Sequence, residues 1–379
     1  VSDGDRPGDP AGRAARDHGA RGPLPGHDTE ATDAVVAADT LARFIRDVFV
    51  AGGMAVEHAA IVADVLVWAN LRGVDSHGVV RVPRYVELLL SGQLNGRAVP
   101  RVVVETSAAV LVDADRAAGP VAMTVATTKA MEKARAAGIG LALVRATTHT
   151  GAIGYYTLQA AEAGMAALAV AASPPLMPYH GTRTAAVATS PVSIAVPGGE
   201  HGAIVLDMAT SVVSLGRLLQ AKRTGQPIEP GWAVDADGNP TTDPRAAALP
   251  LPLGGPKGAG LALLIELITS VIAGNPILSE ALERSPDGRR HKQNALALAI
   301  DIGRFGDPVA FRREVDRLVR ALKALPRQPG VTEVLMPGER GRRTQLVRQR
   351  DGIPIPSATV SELDALARRL RVAPLASLH

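Results

Sequence analysis

The chain has 379 residues, 46% hydrophobic but only 3% aromatic, with a formal charge of +4 and no cysteine. Length allows two domains, the core must be built from Ala, Val, Leu and Ile, and disulfides, thiolate metal sites and thiol nucleophiles are excluded. The basic residues are scattered or paired with acids, against a nucleic-acid partner, and no apolar run approaches the roughly 18–20 residues of a membrane span or forms a secretory signal, so a cytoplasmic protein with no membrane partner is expected.

Residues 1–33 are rich in Gly, Pro, Asp and Arg and read as a disordered extension. Leu41, Phe44, Ile45, Val48 and Phe49 recur at three and four residue spacing and predict a helix ended by Gly52-Gly53. A second helix through Ile61, Val62, Val65, Leu66 and Trp68 ends at Gly73 and delivers the chain to Asp75-Ser76-His77. A third covers residues 85–90. Residues 102–104 and 110–112 read as strands, and Pro120 opens an Ala-rich helix that Gly138 follows. A buried strand at 139–144 would complete a strand, helix, strand unit.

Further strands are expected at 167–171, 192–196 and 204–206, then a helix from about Val212 and a polar, turn-rich excursion at 227–244. The glycine-rich stretch 254–260 leads into the most apolar helix, up to Ala273. Residues 283–293 are charged and belong on the surface. A strand at 296–300, a helix at 308–325, a short strand at 331–335 and two helices close the chain, with no internal repeat of solenoid period.

The densest chemistry lies in Arg72-Gly-Val-Asp-Ser-His-Gly-Val-Val-Arg-Val-Pro-Arg-Tyr85. Four-residue steps put His77, Arg81 and Tyr85 on one helical face, although Pro83 fits only a first turn and moves His77 into the turn before the helix. An imidazole beside a guanidinium suits a carboxylate substrate, with Arg gripping the carboxylate and His exchanging a proton with the reacting oxygen. A capping turn followed by a solvated basic segment fits the spacing equally well. His149 sits between a strand and a glycine-rich turn, a common position for catalytic side chains, although its position alone favours a hydrogen-bonded structural histidine. Gly254 to Gly260 with Lys257 could cradle a phosphate, but it is neither a P-loop nor Gly-x-Gly-x-x-Gly after a strand.

Taken in order, the motifs resemble the type 2 malate/L-lactate dehydrogenases, NAD(P)-dependent oxidoreductases unrelated in fold to ordinary lactate dehydrogenase. They are residues 72–78 with Arg81 and Tyr85, His149 with Gly154-Tyr155-Tyr156, Thr189-Ser190-Pro191, residues 206–211, 231–235, 240–244 and 253–258, and Met336-Pro337-Gly338-Glu339. The resemblance implies an α/β fold with a non-Rossmann NAD(P)-binding domain on a mixed sheet (107–294), a helical substrate and dimerisation part (34–106 joined by 295–379), and a homodimer. It implies His149 as the acid/base, His77 with Ser76 as a second catalytic or orienting group, and Arg81 and Tyr85 on the substrate carboxylate. Ser173, Thr189, Asp207, Met208, Ala209, Lys257, Gly258 and Glu339 would line the site of the cofactor, NAD or NADP.

The family's common Ser-Asn-His-Phe-Gly stands here as Thr147-Thr148-His149-Thr150-Gly151, Gly-His-Phe-Phe as Asn294-Ala295-Leu296-Ala297, and the Tyr after Lys-Gly as Ala259. Hydride exchange at C2 of a small 2-hydroxy or 2-oxo acid is the expected reaction, and reduction of a cyclic imino acid in a roomier pocket is the alternative. A metal-dependent hydrolase using His77, His149 and Asp207, or a silent NAD(P)-binding protein, are the rivals from other classes.

Overall fold

The computed structural model describes residues 34–285 and 292–377; the expected extension at 1–33 and residues 286–291 of the charged segment lie outside the described residues. The spacing that begins at Leu41 forms α1 (Ala38–Ala51), and all five of its marked apolar side chains are buried. In α2 (Val56–Leu71) buried residues fall on every side, among them Ala59, Val62, Val65, Leu66 and Leu71. A helix apolar all round belongs inside, and α2 packs against α1 and, further on, the helix Gly119–Ala137. The helix α3 (Val82–Leu90) then carries Tyr85 into the same core.

The expected strand, helix, strand unit is present. Strands Ala109–Asp113 and Ile139–Thr147 pair in parallel, linked by α4 (Gly119–Ala137). They belong to a mixed seven-stranded sheet ordered Arg101–Glu105, Ala109–Asp113, Ile139–Thr147, Gln293–Asp301, Met165–Ala172, Val192–Val196, Ile204–Met208, whose other neighbouring pairs are antiparallel.

Successive side chains on a strand face opposite sides, and the sequence uses this with two sizes of residue. Ala295, Ala297 and Ala299 join the large core that includes α4, while Leu296 packs with Leu143, Val170 and Ile265 on the other face. Alanines let α4 and α5 (Gly154–Glu162) approach closely, and leucines fill the space under the later helix α7. After Ile204–Met208 come α6 (Leu215–Thr224), capped by Ser214 Oγ accepting from Arg217 N–H, and α7 (Pro256–Glu266). The apolar run expected to stay helical to Ala273 passes instead into a π-helical turn, Leu267–Val271.

The polar excursion holds a three-stranded antiparallel sheet of two-residue strands, Pro240–Thr241, Ala233–Val234 and Leu249–Pro250, around a small cluster of Val213, Leu218, Ile228 and Ala233. The remaining helices are α8 (Leu278–Leu282), α9 (Pro308–Lys323), α10 (Glu339–Asp351) and α11 (Ser357–Leu370).

The short strand expected at 331–335 is not formed. Two of its carbonyls are taken by side chains, Val334 O by Lys323 Nζ at 2.9 Å and Thr332 O by Arg327, and are not free for a ladder. The sequence reading passed over Ile353–Ile355, which pairs antiparallel with Ala34–Val36 and buries Ile353 and Ile355. The strand Gln293–Asp301 crosses the expected boundary at 294/295 and sits at the centre of the sheet, and Arg101–Glu105 likewise joins the sheet from the segment 34–106. Among the described residues no helix is long and apolar enough to cross a membrane.

Two guanidiniums tie α10 to the end of α2. Arg72 donates to Gly338 O at 3.0 Å and Gln345 Oε1 at 3.2 Å, and Arg348 grips Asp75 with two bonds of 2.7 and 3.1 Å. Replacing Arg348 with Ala should therefore cost roughly 1–2 kcal/mol of unfolding free energy in urea titrations, the range for charged hydrogen bonds tempered by the partial exposure of Asp75, with an unchanged far-ultraviolet dichroism spectrum.

Candidate active site

Beyond α2 the chain is folded by one amide. Asn70 donates from Nδ2 to Asp75 Oδ1 (2.7 Å) and accepts Val79 N–H at Oδ1 (2.7 Å), closing two 3₁₀ turns, Asp75–His77 and Val79–Arg81. Pro83 lies in the first turn of α3, so His77 precedes the helix, as its position required. Ser76 Oγ lies 3.0 Å from His77 Nδ1, and Arg81 Nε donates to Ser76 O at 2.6 Å. That bond fixes the guanidinium by its inner nitrogen, and its two terminal nitrogens have no protein partner among the described residues.

The opposite wall is the loop after the strand Ile139–Thr147. Thr147 Oγ1 donates to Ala117 O (3.1 Å), and Thr148 Oγ1 accepts Gly119 N–H (3.1 Å). The start of α4 is thereby pressed against this loop, and a Cβ on Gly119 would stand 2.2 Å from His149 O. Only glycine fits there. The result is that His149 stacks on His77, ring centroids 5.4 Å apart and planes 26° from parallel.

The resemblance implies Tyr85 on the substrate carboxylate, but its buried hydroxyl lies 2.6 Å from His149 Nδ1 and 3.2 Å from His149 O. With the phenol donating to the carbonyl, Nδ1–H donates to the phenol oxygen and Nε2 is left as a free acceptor; with the phenol donating to Nδ1, Nε2 carries the proton. The same contact serves either direction of proton transfer.

Both imidazoles lie deep in a cleft, surrounded by protein but with an accessible face. Burial, with the His77 and Arg81 charges behind it, holds His149 well below the ordinary histidine range. Burial and then Arg81 bring His77 down to about 4. Burial also raises the Tyr85 phenol, against the influence of Arg81. At neutral pH the site presents two neutral rings, a neutral phenol and one guanidinium.

The residues expected at the cofactor converge in part. Thr210 N–H donates to Thr189 O (2.9 Å), Leu253 N–H to Thr210 O (2.9 Å), and a Cβ on Gly258 would meet Thr210 O at 2.5 Å. Thr189, the strand end Asp207-Met208 with Ala209, and the start of α7 with Lys257 and Gly258 are thus one neighbourhood. Ser173, just beyond the strand Met165–Ala172, approaches it through the bond from Ala171 N–H to Pro191 O (3.3 Å). Ser190 Oγ and Thr210 Oγ1 are buried there without protein partners, as a site awaiting a polar ligand requires. Asp207 accepts Gly154 N–H at 2.8 Å, and desolvation in the cleft raises its carboxyl to about 6 against that bond and Arg72. Its exposed edge tempers that shift.

Glu339 is committed elsewhere, to Lys323 (2.8 Å), Arg343 and Met336 N–H (3.0 Å). Its segment nevertheless runs beside the strand that ends in Asp207, since Val205 N–H donates to Pro337 O at 3.1 Å.

The ligand cluster that the hydrolase rival needs is not found among the described residues, where no three His, Asp or Glu come together to hold a metal. The sequence reading missed Asn70 and Gly119. An amide on an otherwise apolar helix was the available signal for Asn70; Gly119 gave none.

Because the unfolded chain binds a proton near 6.5 and folded His77 only near 4, its neutral ring contributes stability that is present above 6.5 and lost as pH falls through 4. Asp207, raised to about 6, acts oppositely: its contribution is present below about 3.8 and lost as pH rises through 6. Melting temperatures between pH 7 and 4.5 should fall less steeply in His77→Gln than in the parent, and more steeply in Asp207→Asn.

The malate/L-lactate dehydrogenase family model matches residues 36–364. Malate dehydrogenase of Pyrococcus horikoshii is 35% identical over 347 residues, 89% of this chain and 96% of the relative. The ureidoglycolate dehydrogenase (NAD(+)) of Escherichia coli K12 is 34% identical over 307 residues, 80% of this chain and 87% of the relative. The crystal structure of delta1-piperideine-2-carboxylate reductase from Pseudomonas syringae pvar. tomato superposes with a TM-score of 0.78 at 31% identity, covering 88% of this chain and 100% of that one. The chain belongs to the malate/L-lactate dehydrogenase family.

Proposed function

We propose that the protein is an NAD(P)-dependent oxidoreductase that exchanges a hydride between the nicotinamide and C2 of a small 2-hydroxy or 2-oxo acid. The observation that carries this reading is His149, held at Nδ1 by Tyr85 and stacked on His77, beside an Arg81 whose fork is uncommitted. A guanidinium fork matches a carboxylate in two bonds, and a 2-hydroxy acid places its hydroxyl one carbon from that carboxylate. A substrate gripped by Arg81 would therefore present its C2 oxygen to the imidazole pair.

In the oxidising direction neutral His149 takes the hydroxyl proton at Nε2, and Tyr85 accepts from Nδ1–H and steadies the resulting imidazolium. Arg81 opposes that charge, which limits its lifetime and favours return of the proton to solvent or product. In the reducing direction Nε2–H donates to the oxygen that becomes negative. Ser76 orients His77, and the stacked His77 ring keeps His149 in plane.

The bound nicotinamide supplies or accepts the hydride. Thr189, Asp207, Met208, Ala209, Lys257 and Gly258 would hold it, with Ser173 beside them and the 336–339 segment at the edge. The single parallel pair in the sheet, and the lack of Gly-x-Gly-x-x-Gly, support a cofactor site built otherwise than on a doubly wound parallel sheet. The helical part through residue 100, with 302–377, would carry the substrate side and the sheet the cofactor side. NAD is favoured by the name of the ureidoglycolate relative.

Cyclic imino acid reduction is a second reading, favoured by the reductase among the structural neighbours. The small residues expected to widen the pocket give it no help, because Thr150 and Ala259 are both buried.

We also propose a homodimer. The outer side of α7 and its π turn exposes Leu261, Leu264, Leu267, Ile268, Val271 and Ile272 in one continuous stripe. Such a stripe on a monomer calls for a cover, and a second copy supplies an equal one by twofold symmetry.

His149→Gln should abolish turnover across a panel of 2-oxo and cyclic imino acids while NADH or NADPH fluorescence still reports binding; turnover at the parent rate would remove His149 from the reaction. Arg81→Gln should lower kcat/KM by about two orders of magnitude, mostly through KM. Ile272→Glu should turn a dimer into a monomer in light-scattering chromatography.

A further inference from the structure

A second polar system lies behind the site, at the joint between α7 and the sheet. Asn294, fully buried in the central strand, uses its whole hydrogen-bonding capacity. Its Nδ2 donates to Ser270 Oγ (2.9 Å) and Asn275 O (2.8 Å), and its Oδ1 accepts Asn275 Nδ2 (2.7 Å) and Ala146 N–H (3.0 Å). Ser270 Oγ passes its own proton toward Glu266 Oε2 at 2.6 Å. Glu266, 4% exposed, accepts Ile277 N–H (2.7 Å) and Leu278 N–H (3.0 Å) at its other oxygen. No donor or acceptor is left over along this line.

Its far end is a strained point. Ala146 has φ of 55°, a left-handed conformation that costs an alanine roughly 1–2 kcal/mol. The register between the strands Gln293–Asp301 and Ile139–Thr147 shifts there, with Gln293 opposite Thr147 and Ala295 opposite Val144, so Arg145 and Ala146 together oppose Asn294. In a bulge the extra residue loses its ladder partner. The Asn294 amide replaces that partner for Ala146 N–H, while Ala146 O accepts Arg116 N–H at 2.7 Å. Arg116 also has positive φ, 60°. Three residues after the bulge comes His149.

We propose that the buried chain Glu266, Ser270, Asn294 is a positioning device for His149, holding the left-handed bulge at Ala146 that aims the loop toward Tyr85 and His77. This rests on the proton-exchanging role of His149. A regular strand through Ala146 would turn every following side chain to the other face, so the bulge decides which way Thr147, Thr148 and His149 point. The π turn that contains Ser270 belongs to the same device, since π turns gather at functional sites and this one brings Ser270 to both Glu266 and Asn294.

The test follows the His149 ring directly, by nuclear magnetic resonance of histidine-labelled full-length protein with the resonance assigned by its loss in His149→Gln. In Asn294→Ala the ring, released from Tyr85 and the cleft beside His77 and Arg81, should titrate closer to the ordinary histidine value than in the parent. Turnover should fall about tenfold or more, with KM for the nicotinamide cofactor changed by less than about twofold. Ser270→Ala should shift both readouts in the same direction by less, and decides the matter alone if Asn294→Ala does not fold.

Adding Ala146→Gly to Asn294→Ala should recover part of the turnover, because glycine holds positive φ without strain, while the melting temperature lost with the network stays lost. A folded variant with an unshifted His149 titration and parent turnover per folded molecule, or a failed rescue, would overturn the proposal. The titration needs no substrate, so an enzyme inactive on every acid tested would count against the proposed reaction and leave this reading to be decided by the ring.

Discussion

The site depends on one hydrogen bond, 2.6 Å between the Tyr85 hydroxyl and His149 Nδ1. It joins two parts of the chain that the fold brings together from opposite sides. Tyr85 comes from a short helix packed in the α1 and α2 core, and His149 from the loop at the end of the interior strand Ile139–Thr147. Without that contact His149 would have a neighbour in His77 but no side-chain partner at Nδ1, and the burial that keeps it neutral would have nothing to direct. A phenol raised above its usual range is suited to this task. It stays protonated, adds no charge beside Arg81, and can donate or accept.

Each wall is held from behind by groups that do not meet substrate in the proposed reaction. Asn70 folds residues 75–79, and Asp75 is in turn clamped by Arg348 of α10. Gly119 and Thr148 lock the His149 loop to the start of α4. The Ala and Leu alternation in the central strand sets how near α4 and α7 can come. The sheet therefore fixes distances by residue size, and amides and carboxylates fix direction. Asn70 and Thr148 are buried as well as hydrogen-bonded, and such satisfied polar groups are rigid.

Much of this is written plainly in the sequence. Regular apolar spacing marks α1 and α2, Pro120 and Gly138 bracket α4, and the strand expected at 192–196 is Val192–Val196. The density of chemistry from Arg72 to Tyr85 marks the site wall before any fold is known. What stays hidden depends on distant partners. Ile353–Ile355 is a strand only because Ala34–Val36 lies beside it, and 331–335 is not one, with two of its carbonyls taken by Lys323 and Arg327. The partner of Tyr85 is 64 residues away, and spacing along a helix cannot reveal it. Asn294 looked like a departure from a common pattern, and its four bonds come from segments that touch only in the folded chain.

In the proposed reaction burial keeps His149 neutral and Tyr85 directs it as the proton exchanger. The most direct measurement is the pH dependence of kcat/KM for hydroxy acid oxidation in the parent and in Tyr85→Phe. The parent should keep full activity well below pH 6.5, because the ring is held below the ordinary histidine value. Tyr85→Phe should lose turnover by about tenfold or more and show an altered acidic limb, with cofactor binding retained. Parent turnover and an unchanged limb in Tyr85→Phe would contradict the claim.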